Sequence, residues 1–376
     1  MTRSISPILL AGIPALISCI ACNPAGMPAR GEDRFAVIAY VSGRGRTTEA
    51  VPVEKLTHVI YSFLHLKGSS LAINGPRDSA AIDALVALKL RNPHLRVMLS
   101  LGGWGGCATC SEVFATSRGR REFAESALRV LSETRTDGLD IDWEYPAVEG
   151  YPGHRYAEED AHNFTLLMKE LRETLGAEYE LSFAAGGFSA CLRASIEWQQ
   201  VMPVVNRVNV MTYDLVNADS KVTGHQTALF SSPVQRESAD NAVRMLDSLG
   251  VKPEKIVIGS AFYARVWGDV ADTDHGLFQT GRFVRFIPYR DLDGFLKGTG
   301  GFRPFWDSAS QAPYSYSAEK KMFATYDDRR SVALKTEYAL ERHLGGIMFW
   351  ELTGDAPAGG LLEAIDSTRA SVSRSR

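Results

Sequence analysis

Eight short runs of β-branched and apolar residues alternate with longer segments in which apolar residues recur at helical spacing. The strand-like runs begin at Phe35, His58, Leu95, Gly138, Tyr179, Arg207, Lys255 and Gly345. The helix-like segments between them begin at Asp78, Arg120, Ala157, Ala239 and Ser331. Alternating strands and helices are typical of parallel sheets, and eight such units predict an α/β fold, the closed (β/α)8 TIM barrel. The active site of such a barrel lies at the C-terminal ends of its strands.

The interval between the seventh and eighth strands is much longer than a loop. About 65 residues separate Arg265 from the helix near Ser331, whereas such loops usually have about two to six residues. The glycine-rich and aromatic composition of this interval predicts a small α+β insertion over residues 266–306, with one short helix near YRDLDGFL. The barrel then comprises residues 34–265 and 307–370, and residues 371–376 form a polar tail that we expect to fray.

Residues 1–33 have the pattern of an export signal followed by a tether. An apolar run from Ile8 to Ile17 is too short for a membrane span and suits a signal peptide. The stretch LISC, which ends at Cys19, resembles the bacterial lipobox, in which the cysteine is lipidated after cleavage. An ordinary signal peptide cleaved near Ala21 would instead remove Cys19. We therefore expect an exported bacterial protein that is lipid-anchored in the envelope through Cys19 or secreted.

Composition excludes nucleic acid as a partner. The chain has 376 residues, of which 45% are hydrophobic, and a formal net charge of −3, so it can bury a large core but has no basic excess to neutralise phosphates. Beyond the tether, three cysteines remain, at Cys107, Cys110 and Cys191. In an exported protein the stretch CATC can close a small disulfide, and the lack of a second pair argues against a four-ligand zinc site.

The stretch TDGLDIDWEYP, residues 136–146, places acidic residues inside a strand of the predicted barrel. Leu139, Ile141 and Trp143 alternate with acids, and a period of two sends alternate side chains to opposite faces. The acids that share one face are Asp140, Asp142 and Glu144. In a closed barrel the apolar set packs outward on the helices, and the acids line the interior.

Three carboxylates in the barrel interior lower the stability of the fold, because moving one ion out of water costs several kcal/mol. A solvated strand face does not fit an outward face of Leu, Ile and Trp, and the calcium-loop pattern is absent, although a hard-cation site stays open as an alternative. Like charges raise one another's pKa, so Asp140 and Asp142 can hold a proton between them. Glu144, at the open end of the strand, is then kept protonated as a general acid.

These residues carry a resemblance to a known family. DGLDIDWE matches the D-x-x-D-x-D-x-E signature of the family 18 glycoside hydrolases, the chitinases and their relatives. Three further stretches resemble motifs of that family on the third, sixth and seventh strands: SLGG, which ends at Gly103, MTYD, which ends at Asp214, and FYAR, which ends at Arg265. The resemblance covers about residues 34 to 366 and implies an insertion after the seventh strand. Ala264 departs from the commoner glycine, and the insertion is shorter than in deep-cleft members.

The resemblance implies a retaining reaction in which the substrate's own 2-acetamido group is the nucleophile. Glu144 protonates the leaving oxygen and then activates water, while Asp142 orients the acetamido N–H and takes its proton from Asp140 in the resting state. Tyr213 donates a hydrogen bond to the acetamido oxygen. No cofactor and no metal are needed.

The resemblance also implies a set of residues that bind the substrate. Trp350 forms the floor under the distorted sugar, and Trp104 stacks on a neighbouring sugar. The full set is Tyr40, Phe63, Gly103, Trp104, Tyr145, Ala184, Met211, Asp214, Tyr263, Arg265 and Trp350.

The leading functional hypothesis is a monomeric chitinase that hydrolyses β-1,4-linked N-acetylglucosamine in chitin or chito-oligosaccharides. An endo-β-N-acetylglucosaminidase that acts on N-glycans is the alternative within the same family. A chitin-binding, lectin-like protein is disfavoured because such members typically lack the acid, and Glu144 is present. A purely structural lipoprotein does not explain the acidic strand.

Overall fold

The computed structural model describes residues 1–2, 35–42, 52–298 and 300–375, with the backbone alone for residues 373–375. Contacts separate Met1–Arg34 from a second unit, Phe35–Arg376, which contains all the strands and helices of the described residues. The lipobox with Cys19 and the predicted tether lie outside the described residues, apart from Met1 and Thr2. In the part of the chain that is described, no helix is long and apolar enough to cross a membrane.

The described residues form two sheets. Their strands are β1 (Ala36–Ser42), β2 (His58–Lys67), β3 (Ser70–Ala72), β4 (Arg96–Gly102), β5 (Gly138–Asp142), β6 (Glu180–Gly186), β7 (Arg207–Met211), β8 (Ile256–Ala261), β9 (Tyr263–Gly268), β10 (Arg282–Pro288), β11 (Arg303–Asp307), β12 (Ala312–Ser317), β13 (Met322–Thr325) and β14 (Gly346–Trp350). The first sheet has the order β1-β14-β8-β7-β6-β5-β4-β2-β3, in which β3 pairs antiparallel with β2. The other eight strands form a barrel, which the pairing of β1 with β2 closes. All eight of these strands are parallel, so the predicted (β/α)8 barrel is confirmed.

Helices follow most barrel strands. They are α1 (Pro76–Ala87), α2 (Cys110–Phe114), α3 (Ser117–Thr134), α4 (Asp160–Leu175), α5 (Ser189–Ala194), α6 (Trp198–Val201), α7 (Ala239–Ser248), α8 (Tyr289–Gly298), α9 (Arg329–Glu341) and α10 (Leu361–Ser375). Each of the five helix-like segments of the sequence forms a helix. Side chains of Thr116, Ser238 and Asp328 cap α3, α7 and α9 by accepting hydrogen bonds from free backbone N–H groups. The helix α10 runs to Ser375, so the described part of the predicted polar tail is helical.

The barrel has two apolar layers, and strand parity separates them. Leu139, Ile141 and Trp143 lie in the outer layer between strands and helices, where the Trp143 ring is 5.6 Å from that of Phe114 and 6.4 Å from that of Phe164. The inner layer contains Ala36, Ile38, Tyr40, Ile60, Met98, Ala184, Met211, Tyr213, Val257, Ala261, Tyr263 and Met348. The predicted outward packing of the apolar residues of β5 is therefore confirmed, and the acids of β5 point inward.

The insertion is larger than the predicted residues 266–306. Its antiparallel sheet has the order β10-β9-β13-β12-β11 and extends from Tyr263 to Thr325, with α8 where the short helix was predicted. The first boundary differs because Phe262 alone separates β8 from β9, so both strands read as one apolar run. The second boundary differs because β12 and β13 pair in the insertion sheet, whereas the sequence predicted that residues 307–325 belong to the barrel.

The connection after β4 packs closely on the end of β5. Cys107 and Cys110 form a disulfide in this connection, which answers the question that the sequence left open, and Cys191 is a buried free thiol. Gly102 has φ +113°, and a side chain at this position would overlap the carbonyl oxygen of Asp142. The glycine at position 102 thus permits the close approach of β4 to the last residue of β5.

Candidate active site

The three acids of β5 and of the residues that follow it occupy increasingly open positions. Asp140 is fully buried, Asp142 is 4% exposed at the last position of the strand, and Glu144 lies two residues further on and is partly exposed. Their order agrees with the strand parity, and it leads from the barrel interior to the end at which active sites of this fold lie. These three residues are called the acidic column.

Asp140 is surrounded by hydrogen-bond donors. One carboxylate oxygen accepts from the hydroxyls of Tyr40, at 3.1 Å, and Ser100, at 2.8 Å. The other accepts from the hydroxyl of Ser182, at 2.6 Å, and the amide of Asn209, at 3.1 Å. Burial raises the pKa of Asp140, and these four hydrogen bonds oppose that rise.

Asp142 has the opposite surroundings. Its Oδ1 is buried and has no hydrogen-bond partner among the described residues. Burial raises the pKa of Asp142 well above its ordinary value, and the charges of Glu144 and Asp140 raise it further. The proton shared between Asp140 and Asp142 stays a prediction. Asp142 is the member of the acidic column whose side chain is left free to meet a substrate donor.

Glu144 has the electrostatics of a general acid that works near neutral pH. Burial raises its pKa to about 7, a hydrogen bond with Tyr145 opposes this rise, and the charge of Asp214 adds to it. A group with this pKa is protonated in about half of the molecules at neutral pH, so it can both give and accept a proton.

A second group of predicted residues lies just after β7 and on β9. The hydroxyl of Tyr263 donates to Asp214 Oδ1 at 2.6 Å, and the guanidinium of Arg265 forms an ion pair with the same oxygen. The hydroxyl of the neighbouring Tyr213 has the Met348 sulfur at 3.8 Å as its partner among the described residues. Sulfur is a weak acceptor, so the Tyr213 hydroxyl can donate to a ligand instead.

Aromatic rings form one wall of the site. Trp350, at the end of β14, stacks on Phe63 with ring centres 5.4 Å apart and an angle of 12°, and it lies 6.1 Å from Tyr40. Gly103 is required there, because a side chain at this position would overlap the Phe63 ring. Trp104 is 54% exposed, so it offers a free indole face to a sugar ring.

The remaining predicted residues lie deeper. Ala184 and Met211 belong to the inner layer of the barrel, and Tyr145 packs against it while contacting the ring of Phe188 at 5.3 Å. Trp104 differs from the rest of the predicted set, because its ring contact is with Tyr151, at 5.5 Å, and not with the inner layer. Among the described ranges, no group of three or more His, Cys, Asp or Glu residues is arranged to hold a metal ion.

Sequence reasoning missed three of the four groups that bind Asp140. Ser100 and Ser182 lie on the neighbouring strands directly beside Asp140, and Asn209 lies one strand further on. All three are polar residues at inward positions of apolar strands. These polar residues interrupt the apolar pattern of their strands, and this interruption is visible in the sequence. Only the strand register shows that their side chains lie beside Asp140.

Known proteins resemble this chain in sequence and in fold. Residues 36–355 match Glycosyl hydrolases family 18. Chitinase A1 of Niallia circulans is 34% identical over 96% of this chain and 64% of that protein, and Chitinase B of Serratia marcescens is 30% identical over 83% and 76%. A solved glycoside hydrolase family 18 N-acetylglucosaminidase from Paenibacillus barengoltzii has a TM-score of 0.81 at 34% identity, over 89% of this chain and 100% of that one. The chain belongs to family 18 of the glycosyl hydrolases. It spans slightly less than two thirds of the length of Chitinase A1.

Proposed function

We propose that the protein hydrolyses β-1,4-linked N-acetylglucosamine in chitin and chito-oligosaccharides, with retention of the anomeric configuration. The observation that carries this proposal is the pairing of Glu144, whose pKa is about 7, with the buried Asp142, whose Oδ1 has no partner in the described part of the chain. Because both acids come from one strand, they act from one side of the sugar. This arrangement favours the substrate's acetamido oxygen as nucleophile over a second carboxylate on the opposite side.

The first step breaks the glycosidic bond. Glu144 donates its proton to the glycosidic oxygen, and the acetamido oxygen attacks the anomeric carbon to form an oxazolinium ion. Asp142 accepts a hydrogen bond from the acetamido N–H and stabilises the positive charge that develops there. Tyr213, whose hydroxyl has only a sulfur partner among the described residues, donates to the acetamido oxygen.

The second step returns the enzyme to its initial state. Water attacks the anomeric carbon from the face that the leaving group has vacated, and the Glu144 carboxylate takes a proton from this water. The anomeric bond is thus displaced twice, so the product keeps the β configuration. A pKa near 7 suits a group that must act first as acid and then as base.

The named relatives support this substrate and also define the competing one. Two of them are called chitinases, whereas the solved Paenibacillus barengoltzii relative is described as an N-acetylglucosaminidase. The alternative is an endo-β-N-acetylglucosaminidase that acts on N-glycans. Both activities would use the same acidic column.

Parallel digestion separates these alternatives. Purified protein is incubated with N-acetylglucosamine oligomers of two to six sugars and, separately, with an N-glycan, and the products are identified by mass spectrometry and their first-formed anomer by NMR. We expect cleavage of the oligomers to β-anomeric products. Cleavage of the N-glycan alone would support the alternative, and an α-anomeric product would contradict the retaining mechanism.

We also propose that the protein is a monomer, exported from a bacterial cell and anchored by a lipid on Cys19. The support is the apolar run and the LISC pattern of the sequence. Expression of the full chain followed by membrane fractionation tests the anchor. Cys19→Ala should move the protein to the soluble fraction, whereas Cys22→Ala, three residues away, is the matched control and should stay with the membrane. Equal behaviour of both variants would contradict the anchor, and light scattering of the soluble form tests the monomer.

A further inference from the structure

A lysine and an aspartate form an ion pair that is completely buried. The Nζ atom of Lys335, on α9, is 2.8 Å and 2.7 Å from the two carboxylate oxygens of Asp327, and both side chains are 0% exposed. A buried ion pair is weak evidence for stability, because desolvation offsets its attraction and apolar replacements often fold as well. The contacts of this pair point instead to a positional role.

Asp327 connects three parts of the fold. It follows β13, the last strand of the insertion, and precedes α9, where Ser331 Oγ donates to its Oδ1 at 2.6 Å. Its Oδ2 accepts from the backbone N–H of Ala261, the last residue of the barrel strand β8, at 2.9 Å. The same oxygen is 3.1 Å from the hydroxyl of Thr227. The ion pair thus fixes the point at which β8 leaves the barrel and the insertion returns to it.

Thr227 extends this network to the candidate active site. Its hydroxyl accepts a hydrogen bond from Lys335 and lies 3.2 Å from the carbonyl oxygen of Thr212. The single proton of Thr227 lies between two acceptors at nearly equal distance, Asp327 Oδ2 at 3.1 Å and the Thr212 carbonyl at 3.2 Å, so this hydroxyl bridges the ion pair and the backbone of Thr212. The Thr212 hydroxyl in turn bridges to the carbonyl and N–H of Gly259 on β8, at 2.8 Å each.

Tyr213 immediately follows Thr212, and its position depends on this backbone. A Cβ at Gly259 would be 2.7 Å from the Tyr213 ring, so the ring rests on the strand that Thr212 holds. The next residue, Asp214, has φ +56°, in the left-handed region that a non-glycine residue occupies only when its surroundings enforce it. The hydroxyl of Tyr213 meets only a weak sulfur acceptor within the described residues, and therefore does not anchor the side chain.

We propose that Lys335, Asp327 and Thr227 are positioning residues that hold the Tyr213 hydroxyl in place for the substrate's acetamido group. Each step from the ion pair to Tyr213 is a hydrogen bond or a covalent neighbour. The proposal rests on the proposed function, because it assigns these residues to the stabilisation of the oxazolinium ion.

The test uses Thr227, because its replacement leaves the ion pair in place. Thr227→Val keeps the shape and removes the link to Thr212, and we expect kcat to fall about fivefold, the effect of one hydrogen bond, with KM within about twofold. The affinity for a thiazoline analogue of the oxazolinium ion should fall by the same factor as kcat. Thr227→Ser, which retains the hydroxyl, should restore both.

Thr336→Val is the matched control. Thr336 is also fully buried and lies next to Lys335 on α9, but the only partner of its hydroxyl among the described residues is the Val332 carbonyl of the same helix, at 2.8 Å. Thr336→Val should lower thermal stability as much as Thr227→Val does and leave kcat unchanged. Equal losses of kcat in the two variants would overturn the proposal, because they would indicate a general loss of structure.

A double-mutant cycle tests whether Thr227 acts through Tyr213. In a Tyr213→Phe background, Thr227→Val should change kcat less than about twofold, since the hydroxyl that it positions is absent. Additive losses would overturn the proposal, and so would normal kcat and thiazoline affinity in Thr227→Val itself. In either case hydrolysis by the wild-type protein would leave the proposed function standing, whereas a wild-type protein inactive on all N-acetylglucosamine substrates would overturn both.

Discussion

Two groups of buried carboxylates in this molecule have opposite surroundings. Asp327 has a lysine Nζ atom at 2.7 Å, whereas no Lys, Arg or His among the described residues forms an ion pair with the acidic column. Burial lowers the pKa of Lys335 and raises those of Asp140, Asp142 and Glu144. A buried carboxylate with a cation is compensated and can serve as a fixed support. A buried carboxylate without one is stabilised by a proton, and such a group can take part in proton transfer.

The largest expected effect is the loss of the proton donor at the open end of the acidic column. Glu144→Gln keeps the shape of the side chain but has no proton to donate, so turnover should fall by about 10³-fold or more. Oligomer binding, measured by calorimetry, should stay within about threefold of the wild type, because the amide still fits the site. Normal hydrolysis by this variant would remove Glu144 from the mechanism.

Asp142→Asn should separate activity from stability. In the proposed mechanism the charge of Asp142 stabilises the oxazolinium ion, so its loss should lower kcat about 10²- to 10³-fold. The amide is neutral, and the charge of Asp142 is unfavourable in its buried site, so the melting temperature near pH 8 should be equal to or higher than that of the wild type. A strongly destabilised Asn variant would contradict the view that this carboxylate is uncompensated.

Asp327→Asn should give the reverse result for stability. It leaves the Lys335 charge buried without its partner, and breaking a buried pair in this way costs about 3–5 kcal/mol of the free energy of unfolding. Denaturant unfolding at neutral pH measures this loss. Adding Lys335→Met should recover a large part of it, because the orphaned charge is then removed. Equal stability of the Asp327→Asn and Asp142→Asn variants would contradict the view that a cation compensates Asp327 and not Asp142.

The acidic column was predictable from the sequence, because the evidence for it is local. Alternation along one stretch of sequence predicts that Asp140, Asp142 and Glu144 share one face. The helix-like segments between the strand-like runs predict the barrel fold. The outer packing of Trp143 follows from the same parity. None of these inferences needs contacts between distant parts of the chain.

The supports of the site were not predictable, because they depend on long-range contacts. The donors to Asp140 are 40 or more residues away along the chain, and the strand register brings them together. Lys335 lies in an amphipathic helix, and a lysine in such a pattern is normally exposed. Its burial becomes evident only when Asp327 and Thr227 are placed beside it. The limits of the insertion were also missed, because the bend at Phe262 leaves no break in the apolar run.

The pH dependence of activity should follow Glu144. Its pKa is raised to about 7, chiefly by burial, so the proton needed for bond cleavage is lost as the pH rises through this value. We expect kcat/KM to fall about tenfold per pH unit above about pH 7.5. The free energy of unfolding should also fall as the pH rises. A group whose pKa is raised on folding stabilises the fold at low pH, and this contribution is lost as the pH rises through the pKa of the folded state. An activity constant from pH 6 to 9 would exclude Glu144 as the acid.

The smallest expected effect comes from a single hydroxyl. Tyr213→Phe removes the proposed donor to the acetamido oxygen, so kcat should fall about threefold to tenfold, as expected for one hydrogen bond. Stability should not fall, since this hydroxyl bonds only to the Met348 sulfur within the described residues.

Tyr316→Phe is the matched control for that hydroxyl. Tyr316 is also buried, but it lies in the insertion sheet and its hydroxyl donates to the Val270 carbonyl at 2.9 Å. Its loss leaves a buried carbonyl without this donor, which should cost about 1–3 kcal/mol of unfolding free energy and leave kcat unchanged. The two tyrosines thus repeat, with neutral groups, the contrast between Asp142 and Asp327. A stability loss in Tyr213→Phe as large as that in Tyr316→Phe would show that the Tyr213 hydroxyl supports the fold and is not free to bind a substrate.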